Sequence, residues 1–352
     1  MSPSILDNAG GGLRGFRARA SVELLEAVRN SYGMQCSIDI ADLGGSSNLN
    51  LLITDEDSCY VVRVYRPYVT EARLKDIQLA RRKIRADGLP TVEELTAKDG
   101  AHWIVFNDRL VEVEPYIESD ANMDSWNHLE IGLSLLGRMH SILQGFEISN
   151  DGKHPPFANL IESEEVMSKT RHGIQRIRGW AHPTFDEHRL ANAAEELACL
   201  VTTAEQNYLP LLPRQLVHGD YWHNNVLFHN GRVVLITDFD YMGERARIDD
   251  LALTLYFMIS KFPETPISDA RLRELRHLVD AYDRGLSDRL SHAERFALPL
   301  AIARQPLWSI GGWIALLDDE AAAREHAAGM NQQVEFALDI IREIDRWQAS
   351  FS

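Results

Sequence analysis

Three polar residues near the middle of the chain have the types and the spacing that phosphoryl transfer requires. Asp220 follows an apolar run and a His-Gly pair, Asn225 follows five residues later, and Asp238 ends a second apolar run. In phosphoryl transfer, one carboxylate orients the attacking hydroxyl group and takes its proton, while an amide oxygen and a second carboxylate hold the magnesium ion. The pattern therefore predicts a site for this chemistry.

A β-hairpin is predicted to bring these three residues together. Residues 226–228 and 233–236 are two short apolar runs, and the turn sequence His229-Asn230-Gly231 lies between them,. The acidic residues and the amide would then lie at the two ends of the hairpin and converge at its mouth. The alternative is a surface hairpin whose acidic ends only contact solvent.

The His-Gly-Asp-x4-Asn motif, followed by a hydrophobic strand and an Asp-Phe pair, resembles the aminoglycoside phosphotransferase and choline kinase family, a branch of the protein-kinase-like fold. The resemblance covers most of the chain in order, and residues 218–240 are its specific part. It implies that Asp220 is the catalytic base and that Asn225 and Asp238 are the metal ligands.

The same resemblance implies an α+β, bilobal protein-kinase-like fold. Residues 1–117 are expected to form a small N-terminal lobe with an antiparallel sheet, which binds the nucleotide. Residues 118–352 are expected to form a larger, mostly helical C-terminal lobe, which carries the catalytic and substrate-binding residues.

Composition and charge disfavour some classes of partner. The 352 residues are 45% hydrophobic and 25% charged, and the net charge of −16 disfavours nucleic acid and anionic membranes as partners,. This charge would attract a cationic small molecule, and the alternative is that it serves only solubility. Three widely spaced cysteines and the lack of a secretory segment predict a cytoplasmic protein, and the longest uncharged run, residues 305–317, is too short to span a bilayer,.

A glycine-containing loop in the N-terminal part is a candidate for binding phosphate groups. Strands are predicted at Cys36–Leu43, Ser47–Thr54 and Ser58–Tyr65,. In the loop between the first two, backbone amides could approach phosphate oxygens and polar side chains could add donors, which makes candidates of Gly44, Gly45, Ser46, Ser47 and Asn48,. A plain hairpin turn is the alternative.

Arg63 is a basic residue inside an apolar strand, where a charge is costly unless an anion meets it,. Kinase-like folds place a lysine here to pair with the α- and β-phosphates, so the resemblance implies that Arg63 clamps the nucleotide. Strand alternation puts Val61 on the same face, which makes it a further nucleotide-binding candidate. The alternative is an edge-strand arginine whose charged end reaches solvent.

A helix is predicted from Thr70 to about Asp87, and the resemblance calls for a glutamate on it to anchor the strand cation. The sequence offers Gln78, Glu71 and Asp76 there, but no glutamate matches cleanly. The acidic partner of Arg63 is therefore left open.

The strands predicted at His102–Asn107 and Arg109–Ile117 complete the N-terminal sheet. The second ends in Glu114-Pro115-Tyr116, which looks like the hinge between the lobes of kinase-like folds. Backbone groups beside the proline could meet an adenine edge, so Glu114 and Tyr116 are nucleotide-binding candidates. An edge strand leaving the sheet is the alternative.

From Asp120 onward the hydrophobic pattern is almost wholly helical,. Asp250 matches an Asp-Leu-Ala motif of the family and is expected to bond back to the catalytic loop from the first turn of a helix.

His140 is expected to be a core histidine with satisfied hydrogen bonds. The connection from Asp238 to Asp250 is too short for a protein-kinase activation segment, which favours a small-molecule acceptor.

These patterns together predict a kinase that uses ATP, or alternatively GTP, with Mg²⁺ and phosphorylates a hydroxyl group of a small molecule. An aminoglycoside-like or other antibiotic is the first expectation for the acceptor, which would make the protein a resistance enzyme. Homoserine, a choline-like amino alcohol or a sugar is the alternative, and a catalytically silent nucleotide-binding regulator is another. The protein is expected to be a monomer or a homodimer.

Overall fold

The computed structural model describes residues 17–34, 40–45, 47–55, 58–156, 158, 161–264, 266–317 and 319–352. It divides the chain into two units. The first comprises Met1–Asp120, Ile148–Pro156 and Val234–Thr237, and the second comprises Ala121–Glu147, Phe157–Val233 and Asp238–Ser352.

In the described part of the first unit, five strands form an antiparallel sheet in the order β1-β2-β3-β5-β4. Their bounds are Ile40–Gly44 (β1), Leu49–Asp55 (β2), Ser58–Val64 (β3), Ile104–Phe106 (β4) and Arg109–Pro115 (β5). One face of the sheet is apolar because alternate strand residues such as Leu49, Leu51 and Ile53 are buried in a common core,. The five predicted strands are thus present, with β5 ending at its proline.

Two helices of the first unit begin at side-chain caps. The helix α1, Val22–Tyr32, begins after Ser21, whose hydroxyl accepts the Leu24 amide at 3.2 Å, and Gly33 ends it at a φ of +77°,. The helix α2, Glu71–Ala86, begins after Thr70, whose hydroxyl accepts the Arg73 amide. A helical turn at Asn150–Lys153 also belongs to this unit.

The second unit is mostly helical, and its helices bury the apolar stripes seen in the sequence. Its helices are Trp126–Leu143 (α3), Val166–Arg178 (α4), Phe185–Glu205 (α5), Ile248–Lys261 (α6), Asp269–Gly285 (α7), His292–Trp308 (α8), Glu320–Ala328 (α9), Met330–Arg342 (α10) and Ile344–Phe351 (α11). The helix α8 continues into a π-helical segment, Ser309–Ile314. None of the helices in the described ranges is both long enough and apolar enough to cross a membrane.

Short strands between residues 121 and 246 hold the segment that carries the predicted catalytic residues. They are Ala121–Asn122 (β6), Arg214–Val217 (β7), Val226–His229 (β8), Arg232–Ile236 (β9) and Gly243–Ala246 (β10). Antiparallel pairing joins β7 to β10 and β6 to β8, and β8 and β9 are neighbours in a sheet with the order β6-β8-β9. Both strands of the predicted hairpin, β8 and β9, are therefore formed, and the α+β class expected from the sequence is confirmed.

Candidate active site

The catalytic turn, residues 218–225, connects β7 to β8. Gly219 has a φ of +79°, and a Cβ atom at this position would lie 2.1 Å from the carbonyl oxygen of Tyr241. Only glycine fits a backbone that is both left-handed and this tightly packed. The glycine of the His-Gly-Asp motif is therefore required by the shape of the turn.

Asp220 and Asn225, the predicted base and metal ligand, are hydrogen-bonded to each other. The Nδ2 group of Asn225 donates to the Asp220 carbonyl oxygen at 2.8 Å and to its carboxylate Oδ2 at 2.9 Å. Because both partners are acceptors, the amide nitrogen must face Asp220. The amide oxygen of Asn225 is then the atom that can bind a cation.

Asp238 follows β9 in a left-handed conformation, with a φ of +64° and a ψ of +60°. A non-glycine residue rarely adopts this conformation, and strain of this kind is concentrated at functional sites. The next residue, Phe239, is buried and packs its ring 4.3 Å from that of His218, so the segment after Asp238 contacts the beginning of the catalytic turn.

The residue types of this site fit a magnesium ion. Asn225 and Asp238 supply an amide and a carboxylate oxygen, and proteins hold magnesium with a few such oxygens while substrate phosphates and water complete the octahedron. No group of three or more His, Cys, Asp or Glu side chains among the described residues could hold a metal ion by itself.

Asp250, in the first turn of α6, braces the catalytic turn through the backbone. Its carboxylate accepts the amides of His218 and Gly219, each at 2.8 Å, and the Nε2 group of His140 at 3.1 Å. Burial by itself would raise the pKa of Asp250, but the hydrogen bond and charge of His140, the charge of His218 and the Gly219 amide together hold this pKa below its ordinary value,. The carboxylate is therefore kept ionised, and it bonds back to the catalytic turn as the sequence predicted.

His140 supports the catalytic turn through Asp250, and the sequence did not indicate this role. It is buried with both ring nitrogens bonded, as expected of a core histidine, and one partner is the brace Asp250. The other ring nitrogen, Nδ1, is hydrogen-bonded to the hydroxyl of Tyr282 at 2.8 Å. The two bonds tie α3 and α7 to the catalytic turn. The Asp250 partner is 110 positions away, and no local pattern could have indicated it.

Arg63, the predicted phosphate clamp, lies in the first unit on β3, between β2 and β5. Its side chain is buried, so the alternative of an edge-strand arginine in solvent is excluded. One guanidinium nitrogen donates to the Thr237 hydroxyl at 3.1 Å and lies 3.9 Å from the Glu114 carboxylate. The acidic partner that the sequence left open therefore includes Glu114 on β5.

The backbone of the candidate glycine loop adopts positive φ angles that favour glycine,. Gly44 and Gly45 have φ values of +86° and +114°, and a Cβ atom on Gly45 would lie 2.8 Å from the Asn48 carbonyl oxygen. The Asn48 side-chain oxygen accepts the Arg66 amide at 3.0 Å, which fixes the end of the loop. Ser47 is buried beside Asn48, and Ser46 lies outside the described residues.

The hinge candidates and Val61 share one part of the sheet. Val61 is opposite Glu114 in the register of β3 and β5, and the Tyr116 amide donates to the Cys59 carbonyl oxygen at 2.9 Å. The Glu114 carboxylate also forms an ion pair with Arg81 of α2. A role of Val61, Glu114 and Tyr116 in nucleotide binding stays a prediction.

The sequence and the fold match known phosphotransferases. The sequence model of the phosphotransferase enzyme family (APH) matches residues 40–293. No curated protein matches the sequence.

Solved kinase structures share the fold at low sequence identity. The amicoumacin kinase hAmiN is 17% identical, with a TM-score of 0.64 over 89% of this chain and 92% of that one. A microcompartment-associated aminopropanol kinase is 17% identical, with a TM-score of 0.70 over 92% and 98%. An aminoglycoside phosphotransferase from Alicyclobacillus acidocaldarius is 15% identical, with a TM-score of 0.61 over 91% and 96%. The kinase-like fold predicted from the sequence is confirmed.

Proposed function

We propose that this chain, which belongs to the phosphotransferase enzyme family, transfers the γ-phosphoryl group of ATP to a hydroxyl group of a small molecule. The observation that supports the proposal best is the pair of hydrogen bonds between Asp220 and Asn225 on a turn braced by Asp250. That arrangement fixes the orientation of one carboxylate and of one amide oxygen, and phosphoryl transfer depends on such positioning.

Asp220 is proposed to orient the acceptor hydroxyl and to take its proton. As the acceptor oxygen bonds to the γ-phosphorus, the bond from this phosphorus to the β,γ-bridging oxygen breaks, and ADP leaves. Asn225 and Asp238 would hold Mg²⁺, which neutralises charge on the nucleotide phosphates when it is bound. The Asn225 amide has a second role, since it keeps the Asp220 carboxylate in place for the proton transfer.

The N-terminal lobe, residues 1–117, is proposed to bind the nucleotide. Arg63 would pair with the phosphates, because a buried guanidinium provides several donors for phosphate oxygens. The glycine loop at 44–48 would cover the phosphates, and Val61, Glu114 and Tyr116 would border the base. We propose ATP as the natural donor, since the structure of the amicoumacin kinase holds AMP-PNP.

An aminoglycoside-like or other cationic antibiotic is the first candidate for the acceptor. The net charge of −16 favours a cation, and kinases named for amicoumacin and for aminoglycosides are similar in fold,. An amino alcohol is the second candidate, because the aminopropanol kinase has a TM-score of 0.70. We propose that the enzyme works in the cytoplasm, as a monomer or a homodimer, on acceptors taken from solution.

An ADP-release assay with Mg²⁺-ATP tests the proposal. The acceptor panel comprises aminoglycosides, nucleoside antibiotics, amino alcohols, homoserine and sugars, and Asp220→Ala is assayed beside the natural protein. We expect turnover with at least one amine-bearing acceptor, and its loss in the variant. A protein that binds Mg²⁺-ATP tightly but phosphorylates no acceptor would instead support the silent regulator, and one that binds no nucleotide would contradict both.

A further inference from the structure

A buried network of charged side chains lies beside Arg63 on one face of the sheet in the first unit. Arg81 of α2 forms ion pairs with Glu112 and Glu114 of β5, and it lies 3.2 Å from the carboxylate of Glu94. Glu114 in turn lies 3.9 Å from Arg63. All of these side chains are at least nine-tenths buried, so their charges interact through protein rather than through water,.

The network reverses the distribution of charge expected from the family resemblance. That resemblance places a cation on the strand and its glutamate on the helix. In this chain the buried helix residue at the network is Arg81, and its carboxylate partners are Glu112 and Glu114 of β5 and Glu94, which follows the helix. Of the helix residues considered from the sequence, Asp76 accepts the Ser149 amide at 3.3 Å, while Glu71 is exposed.

The carboxylate of Glu114 is placed by the strand register. Val61 is opposite Glu114 and Arg63 is opposite Glu112, so Arg63 and Glu114 are diagonal neighbours. Side chains two positions apart on a strand point to the same face, and diagonal neighbours are within reach of long side chains. The backbone pairing of β3 and β5 therefore places Arg63 and Glu114 within reach of each other.

Thr237 is hydrogen-bonded to the same guanidinium nitrogen of Arg63 that lies near Glu114. Its hydroxyl accepts the hydrogen bond at 3.1 Å, and it is the residue immediately before the proposed metal ligand Asp238. A hydrogen bond and an ion pair that converge on one nitrogen restrict the rotamer of a long side chain, which otherwise has large conformational freedom.

We propose that Glu114 and Thr237 are positioning residues that hold Arg63 in the orientation that binds the nucleotide phosphates. The phosphate-binding cation is thereby anchored within the sheet and by the residue before Asp238, while the helix supplies the arginine that neutralises Glu114. The inference rests on the proposed function, because it takes Arg63 to be the phosphate ligand.

The first test compares Thr237→Val with Thr237→Ser by isothermal titration calorimetry of the full-length protein. The titrants are Mg²⁺-ATP, Mg²⁺-ADP and adenosine, so no acceptor is needed. Valine keeps the shape of threonine and removes the hydroxyl, and we expect the Kd for ATP and ADP to rise about 5- to 20-fold. Adenosine should bind as it does to the natural protein, and Thr237→Ser should retain most of the phosphate affinity.

Other results of the Thr237 titrations would contradict either the role of Thr237 or the proposed function. Unchanged ATP and ADP affinity in Thr237→Val would overturn the role of Thr237, and so would an equal loss for adenosine, since that indicates a general distortion of the site. A natural protein that binds no Mg²⁺-ATP would instead overturn the proposed function itself.

The second test compares Glu114→Gln with Glu94→Gln. Both substitutions remove a buried carboxylate that pairs with Arg81, but only Glu114 also pairs with Arg63. We expect Glu114→Gln to weaken ATP and ADP binding about 10-fold and Glu94→Gln to leave it within about 2-fold of the natural value. Equal effects of the two variants would show that Glu114 acts only through the stability of the network.

Discussion

The catalytic turn and the sheet face that carries Arg63 are held in place in different ways. In the turn, Asp220 and Asn225 are five residues apart and bond directly to each other, and Asp250 braces the backbone amides beneath them. On the sheet, Arg63 depends on side chains from β5 and from the segment before Asp238. The turn is therefore stabilised mainly by residues close together in the sequence, with Asp250 as a partner from farther along the chain. The sheet face is instead a network of charged side chains that are far apart in the sequence.

This difference has an energetic consequence. A backbone amide that donates to a carboxylate keeps its position when neighbouring side chains change, because it belongs to the chain itself. A buried ion-pair network has no such independence, since the loss of one partner leaves the others charged and unpaired. Substitutions in the turn should therefore mainly change catalysis, and substitutions in the network should mainly change stability and nucleotide affinity.

The largest expected effect is on turnover, in the catalytic turn. Asp220→Ala should lower kcat by about 10²- to 10⁴-fold, because the acceptor hydroxyl loses its base, while the Kd for Mg²⁺-ATP stays near that of the natural protein. Single-turnover kinetics and calorimetry measure the two quantities. Retained turnover would remove Asp220 from the role of base.

The next largest effect is on stability, in the network. Arg81→Met should lower the free energy of unfolding by about 3–5 kcal/mol, because Glu112 and Glu114 lose the arginine that neutralises them,. Urea unfolding at neutral pH measures the change. The matched control on the same helix is Arg85→Met, whose ion pair with Glu93 is exposed and should contribute less than about 1 kcal/mol,. Equal losses in the two variants would contradict the special role of the buried network.

A pair of glycine substitutions tests the local character of the turn. Gly219→Ala places a Cβ atom against the Tyr241 carbonyl oxygen, so the turn must shift, and we expect kcat to fall about 100-fold,. Gly231→Ala, at a similar φ of +72° but in open space, should cost only about 1 kcal/mol of stability and leave kcat unchanged,. If both variants lose the same activity, the packing of Gly219 is not what shapes the site.

The smallest expected effect is the pH dependence of the contribution that Asp250 makes to stability. The pKa of Asp250 lies below its ordinary value of 3.8, so its contribution to stability is present above that value and is lost as the pH falls through the lowered pKa,. Asp250→Asn lacks this titration. The stability difference between the two proteins should therefore shrink as the pH is lowered from about 5 towards 2. A constant difference in urea unfolding across this range would contradict the ionised brace.

The sequence determined the parts of the site that lie close together along the chain. The spacing of Asp220 and Asn225, the strands around the turn at Gly231 and the glycines at 44 and 45 all have local physical causes, which are hydrogen-bond geometry, alternation and backbone freedom. Such causes act within a few residues, and a pattern of residue types is enough to predict them.

Only the tertiary structure decided which distant charges meet. Arg63 and Thr237 are 174 positions apart, and His140 and Asp250 are 110 positions apart. With 36 basic and 52 acidic residues in the chain, the sequence permits many pairings. The register of β3 with β5 selects Glu114, and the fold brings His140 of α3 within 3.1 Å of Asp250 on α6. A charge has no preferred partner in the sequence, because its partner is set by burial and by the backbone geometry of the folded protein.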